Sequence, residues 1–483
     1  MFEIPLSDLV LEKLQRQSEI PLQRQLYQII HEAINAGKLA TDCKLPSSRY
    51  LSKEVDISRI TVSLVYERLV SEGYLYSKKG SGTYVSKLIT PLKPPPNLSE
   101  PSPWVYSERG AKLLRNESSP PQPYGEFVPG IADIEAFPFY LWRKILAKYY
   151  SKKYYDLSSY AESGGYIELR RAIALPFYPD QVIVTFCTPQ SFDLCARMLS
   201  DPGEEAYIED PAHWATQSIF EAAGLNIRSI PLDEEGIHLQ DDMVSPKGKF
   251  VYVTPSHQYP TGVVMSAERR AQILRIAKAR NLWLIEDDYD AEFRYEQLHL
   301  PTLQSMDRDN RVIYFGTFSK TMFSGIRLSY MVVPHTLTHA LRRAISNLYL
   351  PGMLHLQAAM AEFINEGHFY RHIKKMRTIY LERGQIFRAK LQEVFGDKVQ
   401  LSPGKSGMHL LAIFDSPLSY EQFTAHAKHY NIVVRQPHYR SVSPSGLQLV
   451  LGFGGVQTAQ IPAGVLRLQQ VMQEAERALF DRQ

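Results

Sequence analysis

The sequence predicts two folded domains of different class, a small α+β domain followed by a large α/β domain. Three observations predict this division. Residues 1–90 combine helical patterns with two short β-like runs, whereas residues 124–483 alternate apolar β-rich runs with helical stretches. Between them, residues 91–123 contain nine prolines and little periodicity. We therefore predict a proline-rich linker at 91–123, in which the proline density favours extended conformations that hold the two domains apart.

The composition is that of an ordinary globular protein. The 483 residues are too many for one core of usual size, and 44% are hydrophobic while 22% are charged. This balance excludes disordered and fibrous proteins. The formal net charge of +3 identifies no partner by itself. Residues 41–90 hold eight Lys/Arg against five Asp/Glu, a mild excess that is compatible with a DNA-binding surface.

The sequence shows no sign of a membrane span, a disulfide framework or a zinc site. No window reaches about 18 uninterrupted apolar residues, and the first residues are acidic where a signal peptide is basic. The three cysteines, Cys43, Cys187 and Cys195, have no CxxC spacing and no even pairing. We therefore expect a protein of the cytoplasm that binds no metal.

The first domain is predicted from three helices and a hairpin. The first helix starts at Pro21, ends at Gly37 and places six apolar residues on one face: Leu22, Leu26, Ile29, Ile30, Ala33 and Ile34. SSRYLSKEVD predicts a short second helix with a serine N-cap, and a third runs from Ser58 to Gly73. Two helices joined by so tight a turn form a helix-turn-helix. The runs YLY and TYVS, separated by SKKGSG, predict the hairpin, a wing.

This order of elements resembles the winged DNA-binding domain of GntR-type regulators, from about Pro21 to Ser86. The match lies in LPSSRYLSKEVDISRITVSLVYERLVSEGYL followed by KKGSGTYV. The resemblance implies that these residues approach DNA: Arg49, Ser58, Arg59 and Thr61. It also implies close approach of the wing backbone at Gly80 to Gly82, with phosphate contacts from Lys44, Lys78 and Lys79. The alternative, a helix-turn-helix that contacts only protein, remains open.

Six apolar runs predict the strands of the large domain: QVIVT, AYIED, FVYVTP, LWLIEDD, VIYFGTFS and LSYMVVP. They predict a mainly parallel sheet covered by helices, with functional loops beyond the carboxyl ends of the strands. Lys320 directly follows one of these strands. Because burying a lysine cation is costly, a lysine there is neutral or forms an imine. Seven residues later, Arg327 presents a guanidinium suited to phosphate.

A second group of polar residues ends another strand, in IEDDYD. We predict that Asp287 and Tyr289 point to the same side of the sheet. A carboxylate opposite a pyridine nitrogen keeps that ring protonated, and a phenol can bind the ring oxygen. Together with Lys320 and Arg327, these residues predict a cofactor site. Taken singly, a strand-end lysine is more often a surface residue and an acidic run is usually a solvated loop.

FVPG, EDP, TPSHQYPTG, IEDDYD and GTFSKTMFSGIRLS follow the order and approximate spacing of fold-type I aminotransferases. More narrowly, the chain resembles the MocR subfamily of GntR regulators, in which a winged helix-turn-helix precedes an aminotransferase-like domain. The resemblance implies pyridoxal 5'-phosphate (PLP) as cofactor, with Lys320 as its Schiff-base lysine. Asp287 would pair with the pyridine nitrogen, Tyr289 with the ring oxygen and Arg327 with the phosphate. Five further residues are implied near the cofactor: Thr188, His213, Tyr259, Thr317 and Ser319.

The resemblance also implies residues for a ligand and for a partner subunit. Arg435 or Arg440 would bind a ligand carboxylate, although arginines in this region are usually surface groups. Tyr160, in YAESGG, matches a segment that reaches the neighbouring subunit's site in related homodimers.

The chain departs from the family pattern at the phosphate corner. Relatives have SGAQQ where this chain has FCTPQ, so Phe186 and Cys187 replace two small residues. We expect weaker phosphate binding, because the close backbone approach that glycine permits is lost, although Thr188 and the helix dipole remain. His213 replaces a stacking tyrosine, and Ser324 replaces a common proline.

Three functions remain open at this point. The first is a regulator that binds a promoter and senses PLP or an amino compound that reacts with it. As a homodimer it would present two winged helices, to paired half-sites separated by whole helical turns of about 34–36 Å. The second is an aminotransferase with an appended DNA-binding domain. The third is a dimerisation scaffold that has lost its cofactor.

Overall fold

A computed structural model describes residues 5–87, 107–114, 125–160, 163–174, 178–295, 300–350, 352–404, 406–441 and 445–481. The chain divides into two units, Met1–Val105 and Tyr106–Gln483. Within these ranges, no helix is long and apolar enough to cross a membrane.

Most of the predicted linker lies outside the described residues. One part of it, Glu108–Leu114, is an α-helix that packs against the helix Trp214–Ala223 of the second unit. This differs from the predicted extended conformation. The reason is local, because residues 104–119 contain no proline.

The first unit has the predicted winged helix-turn-helix fold with one additional helix. Its elements are α1 (Leu6–Lys13), α2 (Leu22–Asn35), α3 (Ser48–Glu54), α4 (Arg59–Ser71), β1 (Leu75–Lys78) and β2 (Gly82–Val85). The sequence patterns did not predict α1. Leu6, Leu9 and Val10 of α1 are buried in the same core as Leu26 and Ile30 of α2.

Local hydrogen bonds define the helix-turn-helix. The Ser47 hydroxyl accepts the Tyr50 N–H (3.1 Å) at the start of α3, and the Ser58 hydroxyl accepts the Ile60 N–H (3.2 Å) at the start of α4. Such N-caps satisfy backbone donors that the helix itself leaves unpaired. Four residues of α4 form its buried stripe: Val62, Val65, Tyr66 and Leu69. The first turn of α4 is therefore fixed in place while its other face stays exposed.

The second unit contains an eight-stranded sheet with the order β3-β10-β9-β8-β7-β4-β5-β6. The strands are β3 (Val182–Thr185), β4 (Glu205–Asp210), β5 (Asn226–Asp233), β6 (Gly236–Ile237), β7 (Gly248–Val253), β8 (Trp283–Asp288), β9 (Val312–Thr317) and β10 (Ser329–Val332). All six predicted runs are strands, and the mainly parallel sheet is confirmed. The strand β10 is antiparallel to both of its neighbours, and β6 is antiparallel to β5.

Helices cover both faces of this sheet. Phe192, Phe220 and Ile345 pack on one face, and Ile273 and Ala277 pack on the other. The helices of the unit are α5 (Glu108–Leu114), α6 (Phe139–Tyr149), α7 (Ile167–Ile173), α8 (Thr188–Leu199), α9 (Trp214–Ala223), α10 (Ala267–Ala279), α11 (Leu303–Met306), α12 (His335–Tyr349), α13 (Leu354–Asn365), α14 (His368–Phe395), α15 (Tyr420–Ala427) and α16 (Ile461–Phe480).

A smaller antiparallel sheet completes the second unit. It comprises β11 (Val399–Leu401), β12 (His409–Phe414) and β13 (Leu447–Gly452), with β12 in the middle. Short 3₁₀ helices lie at Lys152–Ser158, Pro179–Gln181, Asp241–Met243, Ser324–Ile326, Gly396–Lys398, Lys428–Tyr430 and Thr458–Gln460. Residues of β12 and β13 share one core with α14 and α16.

The direction of the strands decides where polar groups gather. The strands β3, β4, β7, β8 and β9 all run the same way, so their carboxyl ends lie at one edge of the sheet. The loops after these strands carry most of the predicted cofactor residues.

Candidate functional site

A cavity of about 340 Å³ lies at the carboxyl edge of the large sheet. The structure brings all nine predicted cofactor residues and one of the two candidate arginines to its wall: Thr188, His213, Tyr259, Asp287, Tyr289, Thr317, Ser319, Lys320, Arg327 and Arg435. A cavity of this size is typical of small-molecule sites. Arg440 and Tyr160 do not line it.

Lys320 is the only lysine in the described part of the cavity wall. Its Nζ donates a hydrogen bond to the Gly130 carbonyl oxygen (2.9 Å). A Cβ atom at residue 130 would lie 2.6 Å from that Nζ and displace it, and the positive φ of residue 130 (75°) favours glycine there. Burial lowers the pKa of the Lys320 amine, against the opposing effect of Asp290 and Asp287. A larger fraction of this amine is therefore neutral and nucleophilic at neutral pH.

Asp287 reaches the cavity because of strand alternation at the end of β8. Its neighbour Asp288 lies on the opposite side and accepts a hydrogen bond from the Tyr314 hydroxyl (3.1 Å). The Tyr252 hydroxyl donates to Asp287 Oδ2 (3.1 Å) and orients the carboxyl group. Burial raises the pKa of Asp287 to about 7. A cation placed against Asp287 would favour its ionised form.

Tyr289 is hydrogen-bonded to a buried polar cluster that contains His257, Asp290 and His409. Its hydroxyl donates to the His257 carbonyl oxygen (3.0 Å), and His257 Nδ1 lies 3.0 Å from Asp290 Oδ2. His409 packs against the His257 ring, with centroids 4.7 Å apart. Possible ligand atoms of His257, Asp290 and His409 lie within 4.8 Å of one another. Because the Tyr289 hydroxyl donates to the His257 backbone and the His257 ring lies within hydrogen-bond distance of Asp290, we interpret the cluster as a hydrogen-bonded support for Tyr289.

The N-terminus of α8 forms one corner of the cavity. Thr188 is its first residue, and Cys187 at the N-cap makes no side-chain capping bond. Both residues line the cavity, whereas Phe186 does not. The Phe186 N–H is occupied by Gln190 Oε1 (2.7 Å). Of the two residues expected to weaken phosphate binding, only Cys187 therefore lies at this corner.

The loop after β9 and the start of β10 supply further groups to the same corner. Arg327 adopts a left-handed backbone conformation (φ 48°) and has no carboxylate within 4 Å among the described residues. Thr317 Oγ1 accepts hydrogen bonds from the Ser329 hydroxyl (2.8 Å) and the Ser319 N–H (3.2 Å). A helix N-terminus, hydroxyl groups and an unpaired guanidinium are the donors that a phosphate group prefers. These residues therefore fit a phosphate.

Two aromatic rings form an uncharged wall. His213 and Tyr259 have ring centroids 5.3 Å apart, and Trp214 stacks beside His213. His213 Nδ1 accepts the Ala215 N–H (3.3 Å) at the start of α9, and burial lowers the pKa of His213 to about 4. Burial also raises the pKa of Tyr259 to about 12. Both rings are neutral near pH 7, which suits contact with a flat heterocycle.

The two candidate arginines differ in position. Arg435 lines the cavity, and its backbone pairs with Val450 of β13. No described carboxylate lies within 4 Å of its guanidinium. Arg440 instead forms an ion pair with Glu221, and its N–H donates to Asp210 Oδ1 (2.9 Å). Only Arg435 is available to a ligand in the cavity.

In the first unit, the cations that were predicted to contact DNA are exposed and lack an acidic partner. Five exposed cations have no carboxylate within 4 Å in the described part of the chain: Lys44, Arg49, Arg59, Lys78 and Lys79. Four other cations of the unit are paired with acidic residues: Lys13 with Glu32, Arg16 with Asp56, Arg68 with Glu72 and Lys87 with Asp42. Arg24, Lys38 and Lys53 are also exposed and have no carboxylate within 4 Å among the described residues. The five cations of the predicted DNA-binding face are therefore free to contact phosphates.

The remaining predicted DNA contacts are partly structural. The Ser58 hydroxyl caps α4, and Thr61 is half-buried. Gly80 and Gly82 both have positive φ, and a Cβ at residue 82 would lie 2.9 Å from Lys44 Cε. The wing turn therefore needs glycine for its own packing as well as for close approach to DNA.

Sequence reasoning missed several residues that the fold brings to these sites. Ile60, between Arg59 and Thr61, has 71% of its surface exposed. Its position off the buried stripe of α4 was the available signal. In the cavity, the unpredicted wall residues include Gly130, Tyr252, Ser329 and His409. Gly130 and His409 are far from Lys320 in sequence, and no local pattern predicts their proximity.

Comparisons with known proteins agree with the two-domain architecture. Residues 22–85 match the model of bacterial regulatory proteins of the gntR family, and residues 144–452 match that of aminotransferase class I and II. The probable rhizopine catabolism regulatory protein MocR of Rhizobium meliloti is 34% identical, over 94% of each chain. The pyridoxine biosynthesis transcriptional regulator PdxR of Corynebacterium glutamicum is 29% identical, over 89% of this chain and 91% of its own.

Solved structures resemble the second unit. LysN, an α-aminoadipate aminotransferase from Thermus thermophilus complexed with N-(5'-phosphopyridoxyl)-L-leucine, is 24% identical. It covers 76% of this chain and 95% of its own, with a TM-score of 0.68. Kynurenine aminotransferase from Pyrococcus horikoshii is also 24% identical, covers 77% and 95%, and has a TM-score of 0.66. These likenesses establish the aminotransferase fold.

Proposed function

The chain belongs to the MocR type of GntR transcriptional regulators, and on that premise we propose that its aminotransferase-like unit binds and senses PLP or an amino compound that reacts with it. The protein is a DNA-binding transcriptional regulator. One observation carries the sensing proposal: Lys320, Asp287 and Arg327 surround a single cavity of suitable size.

The lining residues fit the separate chemical groups of PLP. Lys320 would bind its aldehyde, Asp287 its pyridine nitrogen and Tyr289 its ring oxygen. Thr188, Ser319 and Arg327 would hold the phosphate, and three residues would complete the surroundings: His213, Tyr259 and Thr317. When bound, PLP supplies an electrophilic carbonyl that reacts with primary amines. Sensing would follow from the lowered pKa of Lys320. Because a less basic amine is a better leaving group, another amine could replace Lys320 on the cofactor.

The unpaired guanidinium of Arg435 supports an amino compound that carries a carboxylate. Arg435 lines the same cavity as Lys320, so one molecule can present its amine to the cofactor and its carboxylate to Arg435. Arg440 is already paired with Glu221, and we do not assign it to the ligand. We therefore propose an amino acid as the effector.

For the DNA-binding unit, we propose that the start of α4 contacts base edges. Arg59, Thr61 and the exposed Ile60 would enter the major groove, with Arg49 beside them, while Ser58 holds the helix start. Phosphate contacts would come from the unpaired cations and the wing: Lys44, Lys78, Lys79, Gly80 and Gly82. Ile60 is suited to the methyl group of thymine, the apolar feature of the major groove.

We further propose that the protein acts as a homodimer in the cytoplasm. Tyr160 is 80% exposed and lies outside its own subunit's cavity, in keeping with a contact to the partner's site. Two copies would present two winged helices to paired half-sites.

An aminotransferase with a DNA-binding appendage is the competing function. The presence of Lys320 and Asp287 in one cavity favours it, and Cys187 at the phosphate corner disfavours it. Sustained transfer of amino groups to a keto acid would establish it. If PLP and an amino acid react for one turnover only, the sensing function is supported.

A decisive experiment combines covalent capture with DNA binding. Full-length wild type, Lys320→Ala and the surface control Lys398→Ala are titrated with PLP and then reduced with borohydride. We expect visible absorbance and a mass adduct at Lys320 in wild type and the control, and neither in Lys320→Ala. Promoter binding should respond to PLP in wild type and Lys398→Ala, and not in Lys320→Ala. If wild type saturated with PLP forms no adduct, the second unit is a dimerisation scaffold without a cofactor, and the sensing proposal is wrong.

A further inference from the structure

The second unit carries an exposed basic surface that its cavity does not use. The helix α6 and the following 3₁₀ helix contribute five exposed cations: Arg143, Lys144, Lys148, Lys152 and Lys153. The start of α14 contributes three more: Arg371, Lys374 and Lys375. We call these eight residues the basic face. Residues 139–155 contain no Asp or Glu, and neither do residues 368–378.

The two halves of the basic face lie next to each other. Lys375 Nζ of α14 donates to the Ala136 carbonyl oxygen (3.2 Å), three residues before α6. The His372 ring packs against Phe137, with centroids 5.2 Å apart. Both α6 and α14 pack on the same helix, α13. The cations therefore form one surface made by three packed helices.

Most of these cations lack an acidic partner. Only Lys148 forms an ion pair, with Glu362 of α13; the other seven have no carboxylate within 4 Å in the described ranges. The exposed acidic groups nearest in sequence are Asp156 and Glu366. Exposed cations without an acidic partner are also the feature of the predicted DNA contacts of the first unit: Lys44, Arg49, Arg59, Lys78 and Lys79. A surface that served only solubility would gain from mixed charges, so unpaired cations of one sign indicate an anionic partner.

Exposed tyrosines are interspersed with these cations. Tyr140, Tyr150 and Tyr155 are each more than two-thirds exposed. Tyrosine hydroxyls, like lysine and arginine, donate hydrogen bonds to DNA phosphates. A second copy of the chain is a poor occupant, because this face would meet its own positive charge.

We propose that the basic face binds the phosphate backbone of duplex DNA that flanks the sequence contacted by the winged helix. The first unit carries little net positive charge, since residues 1–90 hold twelve Lys/Arg against ten Asp/Glu. Additional phosphate contacts from the second unit would therefore add to the affinity for DNA. The proposal rests on the DNA-binding function of the chain and is independent of the cofactor. Such phosphate contacts carry no sequence information, and they depend strongly on salt.

The test compares two variants with the same net charge. One reverses three unpaired cations of the basic face, as Lys144→Glu, Lys152→Glu and Lys153→Glu. The control reverses three exposed, unpaired cations elsewhere on the same unit, as Arg308→Glu, Lys398→Glu and Lys428→Glu. The probe is the sequence that full-length wild type selects from random duplexes, placed in duplexes of about 20 and about 80 base pairs, so that only the longer one offers flanking phosphates. Dissociation constants are measured over a range of salt concentrations.

We expect the basic-face variant to bind the short duplex like wild type and the long duplex about tenfold or more weakly at low salt. The slope of log K against log salt should become shallower by about 0.9 for each phosphate that the variant no longer neutralises. The control should match wild type on both duplexes, and thermal unfolding should be equal for all three proteins. The proposal fails if the basic-face variant matches the control on the long duplex. It also fails if the variant loses only binding to anionic lipid vesicles, which would identify a membrane surface as the partner.

Discussion

The two proposed binding sites of this protein use charge in opposite ways. On the first unit, Lys44, Arg59 and Lys79 are exposed and unpaired, and the fold leaves them to solvent. In the cavity of the second unit, burial lowers the pKa of Lys320 and raises that of Asp287 to about 7. Exposed cations attract a polyanion over the Debye length without changing their own chemistry. Buried groups acquire reactivity because the fold has shifted their proton affinities.

This difference predicts distinct responses to substitution. A change on the DNA-binding face should alter affinity, specificity and salt dependence, and leave the cavity unaffected. A change in the cavity should alter cofactor or effector binding and leave unliganded DNA recognition intact.

The largest effect is expected from Arg59→Ala. A bidentate contact between arginine and a base is worth about 1–3 kcal/mol, so affinity for the selected duplex should fall by about 5- to 150-fold per recognition helix. Affinity for random duplex should fall much less. The matched control is Arg68→Ala on the same helix, because Arg68 is paired with Glu72. Equal preference for the selected sequence in wild type and Arg59→Ala would show that another element recognises the bases.

The next effect concerns Arg435→Gln. Because a charged hydrogen bond contributes about 1.5–3 kcal/mol, binding of an amino acid effector should fall on the order of tenfold or more. The measurement follows the absorbance of PLP-loaded protein titrated with α-amino acids and with the matching amines that lack the carboxylate. Wild type should prefer the amino acids, and Arg435→Gln should not. Arg440→Gln is the control, and an equal loss of preference there would contradict the assignment.

The pH dependence of PLP binding tests the electrostatics of the cavity. Since the pKa of Asp287 is raised to about 7, its carboxylate is present above that pH and is lost as the pH falls through it. Affinity for a protonated pyridine should therefore weaken between pH 8 and pH 6, by about tenfold for this group. The Asp287→Asn variant should bind less tightly and lack this component of the profile. Parallel profiles for the two proteins would exclude Asp287 as the pyridine partner.

The smallest effect is expected at Ile60. Contact with a thymine methyl is worth roughly 0.8 kcal/mol, so Ile60→Ala should weaken binding about fourfold. Replacing that thymine with uracil should weaken wild type equally and leave Ile60→Ala unaffected. Leu64→Ala, one turn further along α4, should remain sensitive to the same uracil. If the affinity losses caused by Ile60→Ala and by the change from thymine to uracil add up in the combined experiment, Ile60 does not contact the methyl group.

Much of the fold was predictable because the local signals were strong. Serine caps, an apolar stripe and a glycine-rich turn predict the winged helix-turn-helix, and six apolar runs predict the strands. The helix α1 was missed, although Leu6, Leu9 and Val10 have helical spacing, because it is only eight residues long. The antiparallel direction of β10 was not predictable, since alternation along a strand is the same in both directions.

The candidate site was predictable where each residue follows its own strand. Lys320 lies three residues after β9, Asp287 is the next-to-last residue of β8, and Thr188 begins α8 after β3. The parallel sheet brings the carboxyl ends of these strands together. Two corrections needed coordinates. Phe186 lies outside the phosphate corner, and Arg440 is paired with Glu221 rather than open to a ligand.

The two-domain architecture, the positions of Lys320 and Asp287 near the ends of strands, and the family all follow from the amino-acid sequence alone. Tertiary structure decided the environment of these groups. Three hydrogen bonds of the site join residues that are distant along the chain. Lys320 donates to the Gly130 carbonyl, the Tyr252 hydroxyl donates to Asp287, and Tyr289 donates to the His257 carbonyl. Residue type and local spacing follow from short-range sterics and periodicity, whereas burial and proton affinity depend on which distant segments the fold packs together.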